Sequence, residues 1–538
     1  MIACAACATE LPQDAEFCFK CGTPVALAHR PAEYKQVTVL FADVVRSMDI
    51  AAAVGAERLR EIMTQLVECA SAVVRRYGGT VDKFTGDGIM AVFGAPRALE
   101  DHAFRACLAA LATQEEAKRL AVEVKAKDAV DLQLRIGLNS GEVIAGEIGS
   151  IALGYTAIGQ QVGMAQRMES VAPPGGVMLS ESTARLVENA TVLGEPQSVR
   201  IKGAADPVPA RSLVGLAALR GRIGPHALTL VGREWELAAL TAMLDRSIKG
   251  YGCVACVVGP PGIGKTRIVT ETTSLAASRG VPVFSTYCES HTSEIAFHPV
   301  TRLLRAVLGT EGHDDLTARN QVRAQLRDAD SVDLVILDDL LGIRDPAVEL
   351  PDIAPDARRR RLTALLNTAA LARLTPRVYV VEDVHWIDPA SEAMLADFLA
   401  VIPRTYSLVL ITYRPEYRGA LNGAPGAQTI ALAPLDDSQT SVLIEELLGP
   451  HPSISGLANQ IAEKAGGNPF FAEQIVHDLA DRGVLSGDRG AYRCTGGVAE
   501  LHVPASLQAA IAARIDRLDT SAKRTLNAAA VIGLKFGA

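Results

Sequence analysis

The sequence predicts a multidomain α/β protein, and three observations predict it. Two Cys-x-x-Cys pairs sit near the N-terminus, a β-α-β-β-α-β order fills residues 35–215, and from 229 onward strands and helices alternate around a glycine-rich loop. At roughly 150 residues per domain, a chain of 538 residues holds three or four units. The hydrophobic fraction is 49% and the charged fraction 21%, as in ordinary globular proteins. Aromatics are only 4%, so the cores must rest on Ala, Leu and Val. A net charge of −8 argues against general phosphate-backbone binding, so nucleic acid is not an expected partner. No run of about 18 apolar residues offers a membrane span. The N-terminus lacks the basic and apolar regions of a secretory signal. A cytoplasmic protein is expected.

Residues 1–24 are read as a zinc ribbon. Cys4 and Cys7, then ten residues, then Cys18 and Cys21 form two knuckles that can converge four thiolates on one ion. So short a segment has too little core to fold without metal, so the Zn²⁺ would be structural. Disulfides are the alternative, which a reducing compartment disfavours. Cys253 and Cys256 share that spacing, but within the apolar run "CVACVV" they read as core on opposite faces of a strand.

Residues 25–34 are a linker. "QVTVLFADVV" (36–45) is a buried strand, and apolar residues from Leu59 to Tyr77 recur at helical spacing until Gly78-Gly79. A hairpin follows in "VDKFTGDGIMAVFG" (81–94), with Gly86-Asp87 as its two-residue turn. A helix over 100–124, a second hairpin over 132–149 and a helix near 160–171 complete the ferredoxin-like order. Asp at a turn is ordinary. Asp43, however, ends the first strand, which this topology sets beside the hairpin. Two carboxylates could then share divalent ions, as two-metal phosphoryl chemistry requires.

"VTVLFADVVRSM", "GGTVDKFTGDGIMAVFGAP", "RIGLNSGEVIAGEIG" and "YTAIGQQVGMAQRMES" together resemble the class III adenylyl/guanylyl cyclase catalytic domain, over residues 35–215. The resemblance implies that Asp43 and Asp87, with the Val44 carbonyl, hold two Mg²⁺ or Mn²⁺ per site. It implies that Lys83 and Thr156 read the purine and that Arg167 stabilises charge on the transferred phosphoryl group. A cationic donor at Lys83 suits adenine N1, an acceptor, better than the guanine N1–H, so ATP is the expected substrate. It further implies a homodimer whose sites combine metal carboxylates from one protomer with purine and arginine contacts from the other. One position departs from the pattern: the family's Asn, four residues before the arginine, is Gly163. An active cyclase and a weak or inactive nucleotide-binding or dimerisation module are both left open by it, with Gln160 or Gln161 as neighbours able to substitute.

Residues 216–228 read as a second linker, and 229–435 as a doubly wound P-loop core built on "CVACVVGP", "VPVFSTYC", "RVYVVEDV", "SLVLITYRP" and "TIALAPL". "GPPGIGKT" comprises Gly259, Pro260, Pro261, Gly262, Ile263, Gly264, Lys265 and Thr266, between a strand and a helix. Backbone N–H groups would wrap the phosphates of Mg-ATP, Lys265 would neutralise them, and Thr266 would ligate Mg²⁺. Glu382 and Asp383 end an acidic strand, and which of them serves the attacking water stays open. Arg414 is read as a γ-phosphate sensor or a surface salt bridge. "VGRE", "EDVHWIDPAS" and "GGNPFFAEQIV" resemble the STAND branch of AAA-like ATPases, with Pro469 near the nucleotide. Residues 436–538 read as a helical extension ending in the start of a winged helix, and relatives of that type continue further. A protein partner for the zinc ribbon or the extension is expected, its identity unspecified. His102 and His385 are read as structural.

Overall fold

The structure, a computed structural model, describes residues 33–216 and 229–494 apart from 85, 148–154, 189, 202–206 and 425, with scattered positions elsewhere. Cys4, Cys7, Cys18 and Cys21, and the zinc expected on them, lie outside the described residues, as does nearly all of the expected winged-helix start. Contacts divide the chain into Met1–His226 with Val503–Ala538, and Ala227–His502. The boundary at 502 falls inside the stretch 436–538 that the sequence reads as one extension. No helix among the described residues is long and apolar enough to cross a membrane.

In the first unit, the β-branched run forms β1 (Glu33–Val44), followed by α1 (Ser47–Val54) and α2 (Ala56–Arg76). The helical spacing of α2 buries Ile62, Met63, Leu66, Ala70, Val73 and Val74. Gly78 and Gly79 close it, their N–H groups donating to the carbonyls of Arg75 and Val74 at 2.9 Å each. Then come β2 (Thr80–Phe84), β3 (Gly88–Phe93), α3 (His102–Asp128), β4 (Leu134–Glu147), β5 (Tyr155–Ile158) and α4 (Gln160–Val171). β6 (Val177–Ser180), α5 (Glu181–Val187), β7 (Thr191–Leu193), β8 (Gln197–Val199) and β9 (Val208–Leu216) complete it. The sheet order is β8-β9-β6-β4-β1-β3-β2, with β5 on β4 and β7 on β9.

The segment β4-β1-β3-β2 is antiparallel throughout, which is the ferredoxin-like arrangement. Alternation along β1 sends Leu40, Ala42 and Val44 to the face covered by α2 and α3. Val37, Val39 and Phe41 go to the other face, with Met90, Val92 and Ala165 of α4. Asp43 shares the parity of Phe41, so it belongs to the α4 face. At the hairpin, Phe84 pairs with Ile89, the register that a two-residue turn at Gly86-Asp87 requires, and Gly86 takes φ 92°. A bulge between Val81 and Lys83 adds Asp82 to β2 and shifts the pairing by one residue into that register.

The second unit opens with α6 (Glu234–Ile248) and β10 (Cys253–Val258), then α7 (Lys265–Ser278) and β11 (Val283–Tyr287). β12 (Arg377–Glu382), β13 (Ser407–Tyr413) and β14 (Ala427–Ala431) follow, with α8 (His298–Leu308), α9 (Asp315–Gln325), α10 (Ser331–Leu340), α11 (Pro355–Leu371) and α12 (Pro389–Leu399) among them. All five strands expected from the sequence form one parallel sheet, ordered β11-β12-β13-β10-β14. Cys253 and Cys256 are buried in separate clusters on opposite faces of β10. The helices α13 (Asp437–Leu448), α14 (Ser455–Ala465) and α15 (Pro469–Asp481) lead to a short hairpin pairing Leu485 with Cys494.

Candidate functional site

Asp43 lies opposite Gly88 across β1 and β3, so Asp87, one residue earlier on the other strand, is its lateral neighbour. The Val44 N–H donates to the Asp87 carbonyl at 3.3 Å, tying the hairpin tip to the end of β1. Ser47, the first residue of α1, donates its hydroxyl to Asp87 Oδ2 at 2.5 Å. Burial pushes the Asp43 carboxyl up to about 7, and the adjacent Asp87 carboxylate adds to the shift. Burial works against Asp87 too, yet the bonds from Ser47 and Asp43 hold it below the usual carboxylate range. One carboxyl thus keeps a proton that its neighbour stabilises. Asp43 Oδ1 is sealed from solvent with no hydrogen-bond partner among the described residues. Such an oxygen next to a second, ionised carboxylate is the donor set that hard divalent cations take. Mg²⁺ or Mn²⁺ therefore fits Asp43 and Asp87, although no group of three or more His, Cys, Asp or Glu side chains is placed to hold a metal ion among the described residues.

The other expected cyclase residues sit on separate elements. Lys83 is on β2, its side chain 55% exposed and its Nζ 3.9 Å from the Asp82 carboxylate. Thr156 pairs with Gly146 in β5, and its side chain lies outside the described residues. Arg167 is half-buried on α4. No hydrogen bond or ion pair among the described residues joins Lys83 or Arg167 to Asp43 or Asp87. Gly163 also lies on α4, and a Cβ added there would meet nothing within 4 Å. Gln161 is not a free substitute for the missing amide. Its carbonyl and its side-chain Oε1 accept from Asn139 Nδ2 at 2.9 and 2.8 Å, and Asn139 is buried. Gln160 is exposed.

Sequence reasoning passed over three polar residues around the carboxylates: Ser47, Arg135 and Glu169. Arg135 stands directly opposite Asp43 in the β1–β4 register, and its Nε is 3.1 Å from Glu169 Oε1 on α4. The signal was available in "LQLRIGL", where the residues alternating with the core leucines include an arginine. His102 is buried as expected, its Nδ1 2.7 Å from Thr38 Oγ1.

The P-loop connects β10 to α7. Lys265 is buried and donates to the carbonyls of Gly259 at 2.9 Å and Pro260 at 3.1 Å. The Thr266 hydroxyl donates to Glu382 Oε2 at 2.7 Å, so Glu382 is bonded to the residue expected to ligate Mg²⁺. Asp383 takes φ 55°, its side chain is 45% exposed, and its N–H donates to Thr412 Oγ1 at 2.8 Å. Arg414 is buried directly after β13. The segment leading into α15 covers the loop: Asn468 Nδ2 donates to the Pro261 carbonyl at 3.0 Å and the Phe470 N–H to the Gly262 carbonyl at 3.3 Å.

Comparison with known proteins agrees with this division. Residues 30–209 match the adenylate and guanylate cyclase catalytic domain family, and residues 229–411 match the AAA ATPase domain family. One chain joins a cyclase-type catalytic domain to an AAA-type ATPase domain. An uncharacterized protein of Rhizobium meliloti is 28% identical over 518 residues, covering 94% of this chain and 49% of that protein. Adenylate cyclase 1 of the same organism is 30% identical over 156 residues, covering 29% of this chain and 24% of its own length. The crystal structure of the adenylyl cyclase CyaB from P. aeruginosa shares 27% identity over 36% of this chain and 99% of that one, with a TM-score of 0.33. The chain spans about half the length of the first curated relative it matches and about a quarter of the second.

Proposed function

We propose that the cyclase-type domain converts ATP to 3′,5′-cyclic AMP and pyrophosphate as a homodimer with two composite sites. The supporting observation is the pairing of Asp43 and Asp87 at the ends of two adjacent strands, with a buried Asp43 oxygen lacking any partner among the described residues. Bound divalent ions would supply Lewis-acid stabilisation of the triphosphate and lower the pKa of the ribose 3′-hydroxyl. Asp43 and Asp87 hold them, and Ser47 orients Asp87. Lys83 donates to adenine N1, Thr156 completes the purine contact, and Arg167 stabilises negative charge as the α-phosphate is attacked. That no hydrogen bond or ion pair among the described residues joins Lys83 or Arg167 to the carboxylates within one chain supports supply from a second protomer.

The AAA-type domain binds Mg-ATP through Gly259–Thr266, with Glu382 rather than Asp383 beside the metal ligand and Arg414 facing the γ-phosphate. Its nucleotide state tunes the cyclase dimer, and a structural zinc at Cys4, Cys7, Cys18 and Cys21 belongs to the same reading. Initial rates with Mn²⁺-ATP and Mn²⁺-GTP test the substrate. Cyclic AMP as the main product supports the assignment of Lys83, and equal use of GTP defeats it. Gly163 favours a second reading, a cyclase fold that binds nucleotide and dimerises with little turnover. That reading holds if ATP analogues bind the wild type but no cyclic nucleotide forms.

A further inference from the structure

We infer that Glu169 is a positioning residue that sets the divalent-ion affinity of the Asp43–Asp87 pair by holding Arg135 away from it. The inference rests on the metal-binding reading above. Directly opposed residues of an antiparallel pair have Cβ atoms about 4.5–5.5 Å apart. Arg135 is directly opposite Asp43, on the face that α4 covers. Its guanidinium is near enough to favour the charged form of both Asp43 and Asp87. Left alone, a long flexible cation in that place neutralises the carboxylates itself and competes with any metal.

Glu169 prevents this. It is 5% exposed, and its Oε1 lies 3.1 Å from Arg135 Nε. The Arg135 Nη1 also reaches the Ser170 carbonyl at 3.5 Å, so the guanidinium is drawn along α4. Both Arg135 Nε and Glu169 Oε1 are sealed from solvent without a well-aligned hydrogen bond, so packing rather than an ideal fork holds the pair. The packing has an identifiable source. A Cβ on Gly137 would sit 2.0 Å from the Glu169 backbone nitrogen and 2.4 Å from the Ala165 carbonyl. Only glycine at 137, two residues along β4 from Arg135, lets the α4 backbone lie that low on the sheet. The same helix carries Arg167 and Gly163, so its seating links the phosphoryl contacts to the metal carboxylates.

The charges agree. With all groups ionised, Asp43, Asp87 and Glu169 against Arg135 leave two negative charges, matched to a divalent ion. Partners behind metal ligands typically change affinity by about 10–100-fold when removed. The test is Mn²⁺ binding to the full-length chain without nucleotide, followed by the paramagnetic resonance signal of free Mn²⁺. Asp87→Ala defines the share bound at the carboxylates, and circular dichroism checks folding. Glu169→Gln should weaken that share by about tenfold. Arg135→Gln alone should bind as the wild type or more tightly, and Glu169→Gln with Arg135→Gln should recover to within about threefold of wild type. Unchanged binding in Glu169→Gln, weakened binding in Arg135→Gln, or a double variant as weak as the single overturns the inference. Wild-type binding indifferent to Asp87→Ala instead removes the metal site on which the inference rests.

Discussion

The P-loop and the carboxylate pair are both nucleotide sites in this account, yet they differ in completeness. At the P-loop, one unit supplies every expected part. Lys265 is buried against its own loop carbonyls, Thr266 is bonded to Glu382, and Asn468 clasps the loop from α15. At the carboxylate pair, an Asp43 oxygen has no partner among the described residues, Lys83 is exposed on an edge strand, and Gly163 leaves open space. On the proposed reading, the first site needs only Mg-ATP, whereas the second needs metal and a second protomer and is therefore open to switching by anything that changes dimer geometry.

Four changes would sharpen or break this contrast, from the largest expected effect to the smallest. Gly163→Asn restores an amide into free space, so cyclic-nucleotide formation should rise ~10²–10³-fold, the scale of one oriented polar contact at a reacting centre. A rate that stays at the wild-type level would show that the gap at 163 is not what limits the site. Lys265→Ala should reduce phosphate release by ~10²-fold by removing the cation that meets the β/γ oxygens, while circular dichroism stays unchanged. Phosphate release at the wild-type rate would break the assignment of the P-loop.

The third change concerns pH. Burial drives the His102 imidazole down to about 4 from an ordinary 6.5. Its depressed value means the unfolded chain takes up the proton first. Stability is therefore fully present above pH 6.5 and lost as pH falls toward 4, by roughly 3 kcal/mol at about 1.4 kcal/mol per unit. Urea midpoints of the wild type and His102→Gln between pH 7 and 4 should diverge, with the shallower decline in the variant. Parallel declines would place the acid sensitivity elsewhere. The smallest effect is at Asn468, which caps α15 by accepting from the Phe470 and Phe471 N–H groups at 3.1 and 3.4 Å. Asn468→Ala should cost about 1 kcal/mol of local stability, read as faster hydrogen exchange at the start of α15. Unaltered exchange there would mean that the clasp on the P-loop does not depend on the cap.

Much of the fold was legible because hydrophobic periodicity is local. The five strands of the P-loop core could be read from their apolar runs, and the helix Ala56–Arg76 from its apolar spacing. Asp43 and Asp87 were legible because a strand end and a hairpin tip are sequence features that the topology brings together. The bulge at Asp82 was not, since it depends on pairing with β3. The Arg135–Glu169 pair was equally hidden. It exists only because Gly137 admits the backbone of α4, a contact between residues far apart in the chain. Gln161 shows the reverse case: a side chain that looked available in sequence is committed to Asn139 in the fold.

The central claim is that Asp43 and Asp87 act together on ATP. The most direct measurement is cyclic AMP formation from Mn²⁺-ATP by the wild type and by Asp87→Ala, each shown to be folded. The account predicts product from the wild type and none above background from the variant. Equal product from both proteins would contradict it.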